Sequence, residues 1–88
     1  MKNGDLLKIL KAVANENRLA LLKCLLESKE TSVGDLAEKT DLPFRSVSRD
    51  LFILRKANLV LNRNHYSARL YSVDIQNFPK ELLKFIES

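Results

Sequence analysis

TSVGDLAEKTDLPFRSVSRDLFILRKANLV, residues 31–60, reads as two helices joined by a tight turn. Val33, Leu36 and Ala37 recur at helical spacing, and Thr40-Asp41-Leu42-Pro43 then breaks the pattern. Val47, Leu51, Leu54 and Ala57 resume it, again three and four residues apart. Arg45, Ser46, Ser48 and Arg49 fall between those apolar positions. The second helix therefore has one apolar face and one face able to donate hydrogen bonds. Such a helix suits the major groove of DNA, where an arginine fork pairs with guanine and serine adapts to several base edges. The segment is a helix-turn-helix signal, and it points toward nucleic acid rather than catalysis.

The charge distribution agrees. The 88 residues carry a formal net charge of +4. Residues 43–71 hold Arg45, Arg49, Arg55, Lys56, Arg63 and Arg69 against Asp50 alone, a net of +5. Five of the six arginines thus lie in the segment singled out by its helical pattern. The planar guanidinium makes paired hydrogen bonds to phosphates and base edges, so this clustering fits a polyanionic partner. At 45% apolar and 30% charged residues the composition is that of a globular protein rather than a disordered one. A lone cysteine excludes an internal disulfide and fits a reducing compartment. No stretch approaches 18 apolar residues and the N-terminus lacks a signal-peptide core, so the expectation is one cytoplasmic domain over residues 1–88 without membrane association.

Outside the central pair, Leu6, Leu7, Ile9, Leu10 and Val13 make a first helix over Asp5–Ala14, with more apolar positions than one core stripe needs. Asn15 is placed to cap a second helix over Glu16–Ser28, with Leu19, Leu22 and Leu26 on one side and Leu21 and Leu25 beside them. Residues 28–31 read as a polar connection, and Ser32-Val33-Gly34-Asp35 as a capping box with Asp at its last position. Pro43 fits the first turn of the fourth helix, which should run to about Ala57 with Asn58 as a left-handed cap. Residues 59–63 and 68–73 read as short strands flanking the polar, turn-like segment 64–67, a β-hairpin. Pro79 opens a last helix ending at Glu87. The expected class is mainly α (α+β), a winged helix-turn-helix in the order α-α-α-α-β-β-α.

Five short segments, in this order, resemble the ArsR/SmtB-type winged-helix transcriptional repressors. Ala14-Asn15-Glu16-Asn17-Arg18-Leu19 is similar to that family's entry to its second helix. Val33-Gly34-Asp35-Leu36-Ala37, Ser46-Val47-Ser48-Arg49-Asp50-Leu51 and Leu54-Arg55-Lys56-Ala57-Asn58-Leu59-Val60 follow, and Tyr71-Ser72-Val73 is similar to the closing strand. The resemblance implies a homodimeric repressor that occupies a pseudo-palindromic operator in double-stranded DNA and performs no chemistry. It covers Leu10–Val73 and has departures. Thr31-Ser32-Val33-Gly34-Asp35 stands where metal-sensing members carry Cys-x-Cys, and the only histidine is His65, in the wing. One Cys and one His do not supply a transition-metal ligand set within one protomer, so neither metal nor another cofactor is expected. Asp50 occupies a position where the family usually has His, and a carboxylate beside phosphate would repel it.

The residues expected to contact DNA follow. Arg45, Ser46, Ser48 and Arg49 form the recognition-helix set; Phe44 either packs on a thymine methyl or staples the helix start. Arg63, Asn64, His65 and Arg69 form the wing set. Thr31 and Ser32 either donate to phosphate from a helix N-terminus or serve only as caps. Arg55 and Lys56 suit either phosphate or the helix dipole, and Cys24 among leucines reads as a small core residue rather than a redox switch. Leu6, Leu7, Leu10 and Val13 with Phe78, Leu82, Phe85 and Ile86 are expected at the dimer interface, as the family's terminal helices are. An alternative stays open: a winged-helix module that binds a protein and not DNA, with Asp50 as its support. No inducer pocket is legible.

Overall fold

A computed structural model describes residues 3–87. The elements run α1 (Asn3–Val13), α2 (Glu16–Glu27), β1 (Thr31–Ser32), α3 (Val33–Thr40), α4 (Phe44–Lys56), β2 (Val60–His65), β3 (Ala68–Val73) and α5 (Lys80–Glu87). The expected order stands, with one addition. The supposed polar connection after α2 ends in the two-residue strand β1, which pairs antiparallel with β3 through Thr31↔Tyr71 and Ser32↔Leu70. The sheet order is β1-β3-β2.

Each helix boundary has a local chemical cause. The Asn15 side chain accepts a hydrogen bond from the Arg18 N–H at 3.1 Å, satisfying one of the free donors that open α2. Ser32 does the same for α3, accepting from the Asp35 N–H at 3.2 Å. At the end of α3, Asp41 turns into the left-handed region (φ 56°, ψ 36°), and the Leu42 N–H reaches back to the Ala37 carbonyl at 3.2 Å. Pro43 follows in extended conformation at the N-cap rather than inside the first turn, so α4 begins at Phe44. Asn58 takes the left-handed cap after α4 as expected (φ 62°), and the Leu59 N–H donates to the Leu54 carbonyl.

The core is built where the helical and strand periodicities converge. Leu21, Leu22 and Leu25 of α2 meet Leu36 of α3, Val47, Leu51 and Leu54 of α4, and Leu59 and Val60 leading into the wing, all at 1% exposure or less. Each such side chain contributes about 1.5–3 kcal/mol relative to exposure. The inward stripe of α2 is thus Leu21-Leu22-Leu25, whereas Leu19 is exposed and Leu26 and Cys24 only pack against the core's edge. Ile9, Ala12 and Val13 of α1, Phe78 and Ile86 close the core. This packing fixes α4 by its apolar stripe and leaves the opposite face of that helix to solvent.

Candidate nucleic-acid interface

α4 buries Val47, Asp50, Leu51 and Leu54. Its outer face carries Phe44, Arg45, Ser48, Arg49 and Phe52 around one shallow depression, while Ser46 is half-buried at the margin. Asp50 is therefore not on the face that carries Arg45, Ser48 and Arg49. Its Oδ1 accepts from Arg18 Nη1 at 3.1 Å, and it is only 4% exposed. The expected repulsion of phosphate is corrected on this ground, since the carboxylate lies on the core side of the helix and its charge is paired. Arg18 was visible only as a motif letter; its partner lies 32 residues away.

Phe52 belongs to this face although no sequence pattern marked it as functional. It lies eight residues after Phe44, off the buried stripe, and is 51% exposed. Arg55 and Lys56 both lean on its ring, at 5.8 and 5.7 Å from the centroid, within range of cation–π attraction. Their charges also sit in the last turn of α4, where they complement the helix dipole.

The start of α3 departs from one expectation. Thr31 is 4% exposed within β1, and its Oγ1 has no hydrogen-bond partner among the described residues. A direct phosphate contact from Thr31 is excluded by that burial. Ser32 is engaged as the α3 cap.

In the wing, β2 and β3 pair from Val60↔Val73 to His65↔Ala68, leaving Tyr66-Ser67 as a two-residue turn. Lacking glycine, the turn places Tyr66 at φ 57° with 93% of its surface exposed. The His65 ring meets the Tyr66 ring edge-on at 4.7 Å, and Arg69 Nε donates to Asn64 Oδ1 at 3.3 Å. Asn64, His65 and Arg69 are exposed at this end of the hairpin. Arg63 is exposed too but engaged in a two-pronged pair with Glu30, with Nη2 to Oε1 at 2.7 Å and Nε to Oε2. That hydrogen bonding holds the Glu30 carboxyl below the usual carboxylate range and raises the Arg63 guanidinium. Glu30, preceding β1, was not anticipated, because the pair spans 33 residues.

The terminal helices divide the residues expected at a dimer interface. Leu6, Leu7 and Leu10 of α1 are 45–53% exposed and Phe85 of α5 is 79% exposed, with Leu82 half-buried. Val13, Phe78 and Ile86 are 4–7% exposed, already covered inside one chain, and are withdrawn from that set. Among the described residues no group of three His, Cys, Asp or Glu side chains is arranged to hold a metal ion. No helix among them is long and apolar enough to cross a membrane.

A two-helix reader with an arginine-lined outer face, followed by a basic β-hairpin, defines the winged helix-turn-helix class of DNA-binding domains. Residues 15–61 match the family model described as bacterial regulatory protein, arsR family, and the chain belongs to that family of transcriptional regulators, which are not enzymes. It is 38% identical over 65 residues to the transcriptional activator HlyU of Vibrio cholerae, a match spanning 74% of this chain and 59% of HlyU. It is 32% identical over 82 residues to the uncharacterized HTH-type transcriptional regulator YceK of Bacillus subtilis, spanning 92% of this chain and 82% of YceK. The structure of reduced HlyU from V. cholerae superimposes with a TM-score of 0.77 at 33% identity, covering 96% of this chain and 83% of that one. The homodimeric winged helix-turn-helix DNA-binding domain Mb0332 of Mycobacterium bovis gives a TM-score of 0.79 at 23% identity, over 94% of this chain and 72% of that one, a likeness of fold.

Proposed function

We propose that this chain is a cytoplasmic homodimeric repressor that binds a pseudo-palindromic operator and does not sense a metal. The observation that carries this is the outer face of α4: Arg45, Ser48 and Arg49 stand exposed there, the two arginines without an ion pair among the described residues, and Asp50 is turned inward against Arg18. In the complex α4 lies in the major groove with Phe44, Arg45, Ser46, Ser48 and Arg49 toward the bases and adjoining phosphates. Asn64, His65 and Arg69 of the wing lie along the backbone, joined by Arg63, whose Glu30 contact leaves Nη1 available. Ser32 supports the start of α3.

Two copies meet through the exposed leucines of α1 and through α5, which brings two recognition helices about 34–36 Å apart, one turn of DNA. The homodimeric state named for Mb0332, a protein of the same fold, supports the pairing of two copies. Occupancy of an operator is enough to block polymerase, and this favours repression, although HlyU carries the name of an activator. The rival module that binds a protein instead of DNA loses its chief support, since Asp50 does not face outward.

The deciding experiment is fluorescence anisotropy with random-sequence duplex DNA across a salt series, for the wild type and Arg45→Ala/Arg49→Ala. Binding that falls with salt by about 0.9 log units per phosphate contact for each log unit of salt, and that the double substitution abolishes, is expected. A folded protein that shows no low-salt binding sinks the proposal. A promoter–reporter fusion then gives the sign of regulation.

A further inference from the structure

Phe44, Ser48 and Phe52 occupy successive turns of α4 and open on the same shallow depression, with Arg45 and Arg49 at its rim. The two phenylalanines are 59% and 51% exposed, so neither is part of the core. Phe52 is flanked toward the C-terminal end of the helix by the charged groups of Arg55 and Lys56. The surface is thus an apolar strip interrupted by one small hydroxyl and bordered by four cations.

A partner matching it must be apolar along its centre and anionic at its edges. Duplex DNA meets both requirements in the major groove, where thymine presents a 5-methyl group between the phosphate rows. Phe44 and Phe52 are eight residues apart, about 12 Å along the helix axis. At about 3.4 Å per base pair that distance matches three to four steps of a helix laid along the groove. We propose that Phe44 and Phe52 are specificity-determining residues that pack on the 5-methyl groups of two thymines, with Ser48 facing the base pairs between them. The inference rests on α4 being the groove-reading helix and extends it from binding to base preference.

The test begins by selecting a preferred duplex from a random pool with the wild-type protein. Binding is then measured to that duplex and to the same duplex with every thymine replaced by deoxyuridine, which removes the methyl groups and keeps every hydrogen-bonding edge. Burying one methyl is worth roughly fourfold in affinity, so two should give a loss of about tenfold or more per half-site. The selected half-site should contain two thymines, on either strand, about three to four base pairs apart. Phe44→Ala/Phe52→Ala should bind both duplexes equally, with an affinity no higher than that of the wild type for the deoxyuridine duplex; both side chains are exposed, so the core is intact. Equal wild-type affinity for the two duplexes overturns the proposal, as does a double variant that still discriminates or a pool from which no preference emerges. Binding to random DNA is read separately, so a failure of groove reading itself appears as loss of that signal in the wild type.

Discussion

Arg18 Nη1 lies 3.1 Å from Asp50 Oδ1, joining α2 to the middle of α4 through side chains that keep only 15% and 6% of their exposure. The same guanidinium donates through Nε to the Ala12 carbonyl and through Nη2 to the Lys11 carbonyl at 3.4 Å. One side chain therefore ties the C-terminal end of α1 to α2 and α4. Removing the carboxylate leaves a partly buried cation without its counter-charge. Asp50→Ala should cost about 1.5–3 kcal/mol in urea denaturation, because the guanidinium loses a charged hydrogen-bond partner at a site water only partly reaches. Arg18→Met/Asp50→Leu should recover a large part of that loss, short of the carbonyl contacts. A cost below 1 kcal/mol for Asp50→Ala would show that water compensates the pair.

Thr31 predicts the opposite sign. Its hydroxyl is buried in β1 without a hydrogen-bond partner among the described residues. Thr31→Val keeps the branched shape that suits a strand and removes an unsatisfied polar group, so it should raise stability by about 1 kcal/mol. DNA affinity should not change. A clear loss of affinity, measured by anisotropy on a folded variant, would restore a phosphate role for the hydroxyl.

The Glu30–Arg63 pair predicts an acid-sensitive wing. Glu30 is held below its ordinary range chiefly by the Arg63 hydrogen bonds, against some desolvation, with the charges of Arg63 and His65 adding to the lowering. A carboxyl whose folded value is depressed contributes stability fully above its unfolded value, and that contribution disappears as pH falls through the folded value. The contact should therefore hold at neutral pH and be lost only below the usual glutamate range. Side-chain carboxyl NMR should show the Glu30 midpoint rising in Arg63→Gln. An unchanged midpoint would mean the ion pair does not persist in solution, where exposed pairs contribute little.

Leu7 and Leu10 give a prediction about assembly. Both are about half exposed on α1, so a charge at either position leaves the protomer core in place. Leu7→Glu/Leu10→Glu should convert a dimer at tens of micromolar to a monomer in light scattering. Its affinity for a two-half-site duplex should fall by at least about 100-fold, because the linkage between half-sites is lost. A variant that remains dimeric would move the interface away from α1.

Arg45, Ser48 and Arg49 are legible as an outer face because helical period alone assigns Val47, Leu51 and Leu54 to the inner one, whereas the period does not decide that Ser46 is half-buried and Phe44 exposed. Asn15, Ser32 and Asn58 were legible as caps because capping is decided within a few residues. Phe52 is not legible in the sequence as exposed, since an apolar residue beside an apolar stripe carries no signal of exposure until the neighbouring packing is known. Thr31 was misplaced because a two-residue strand has too few positions to show alternation. The terminal helices were recognised as over-apolar, but which of their residues close the protomer's own core was beyond a count of leucines.

The amino-acid sequence by itself determined the helix order, the turn at Thr40–Pro43, the hairpin and the basic character of α4, all of which arise from interactions spanning a few residues. Tertiary structure alone decided that Asp50 faces Arg18 rather than phosphate and that Arg63 is held by Glu30. It also decided that Thr31 lies beneath the surface. Those outcomes depend on partners 32 and 33 residues away and on β1 docking against β3, where burial and opposite charge choose among contacts that local periodicity leaves equivalent.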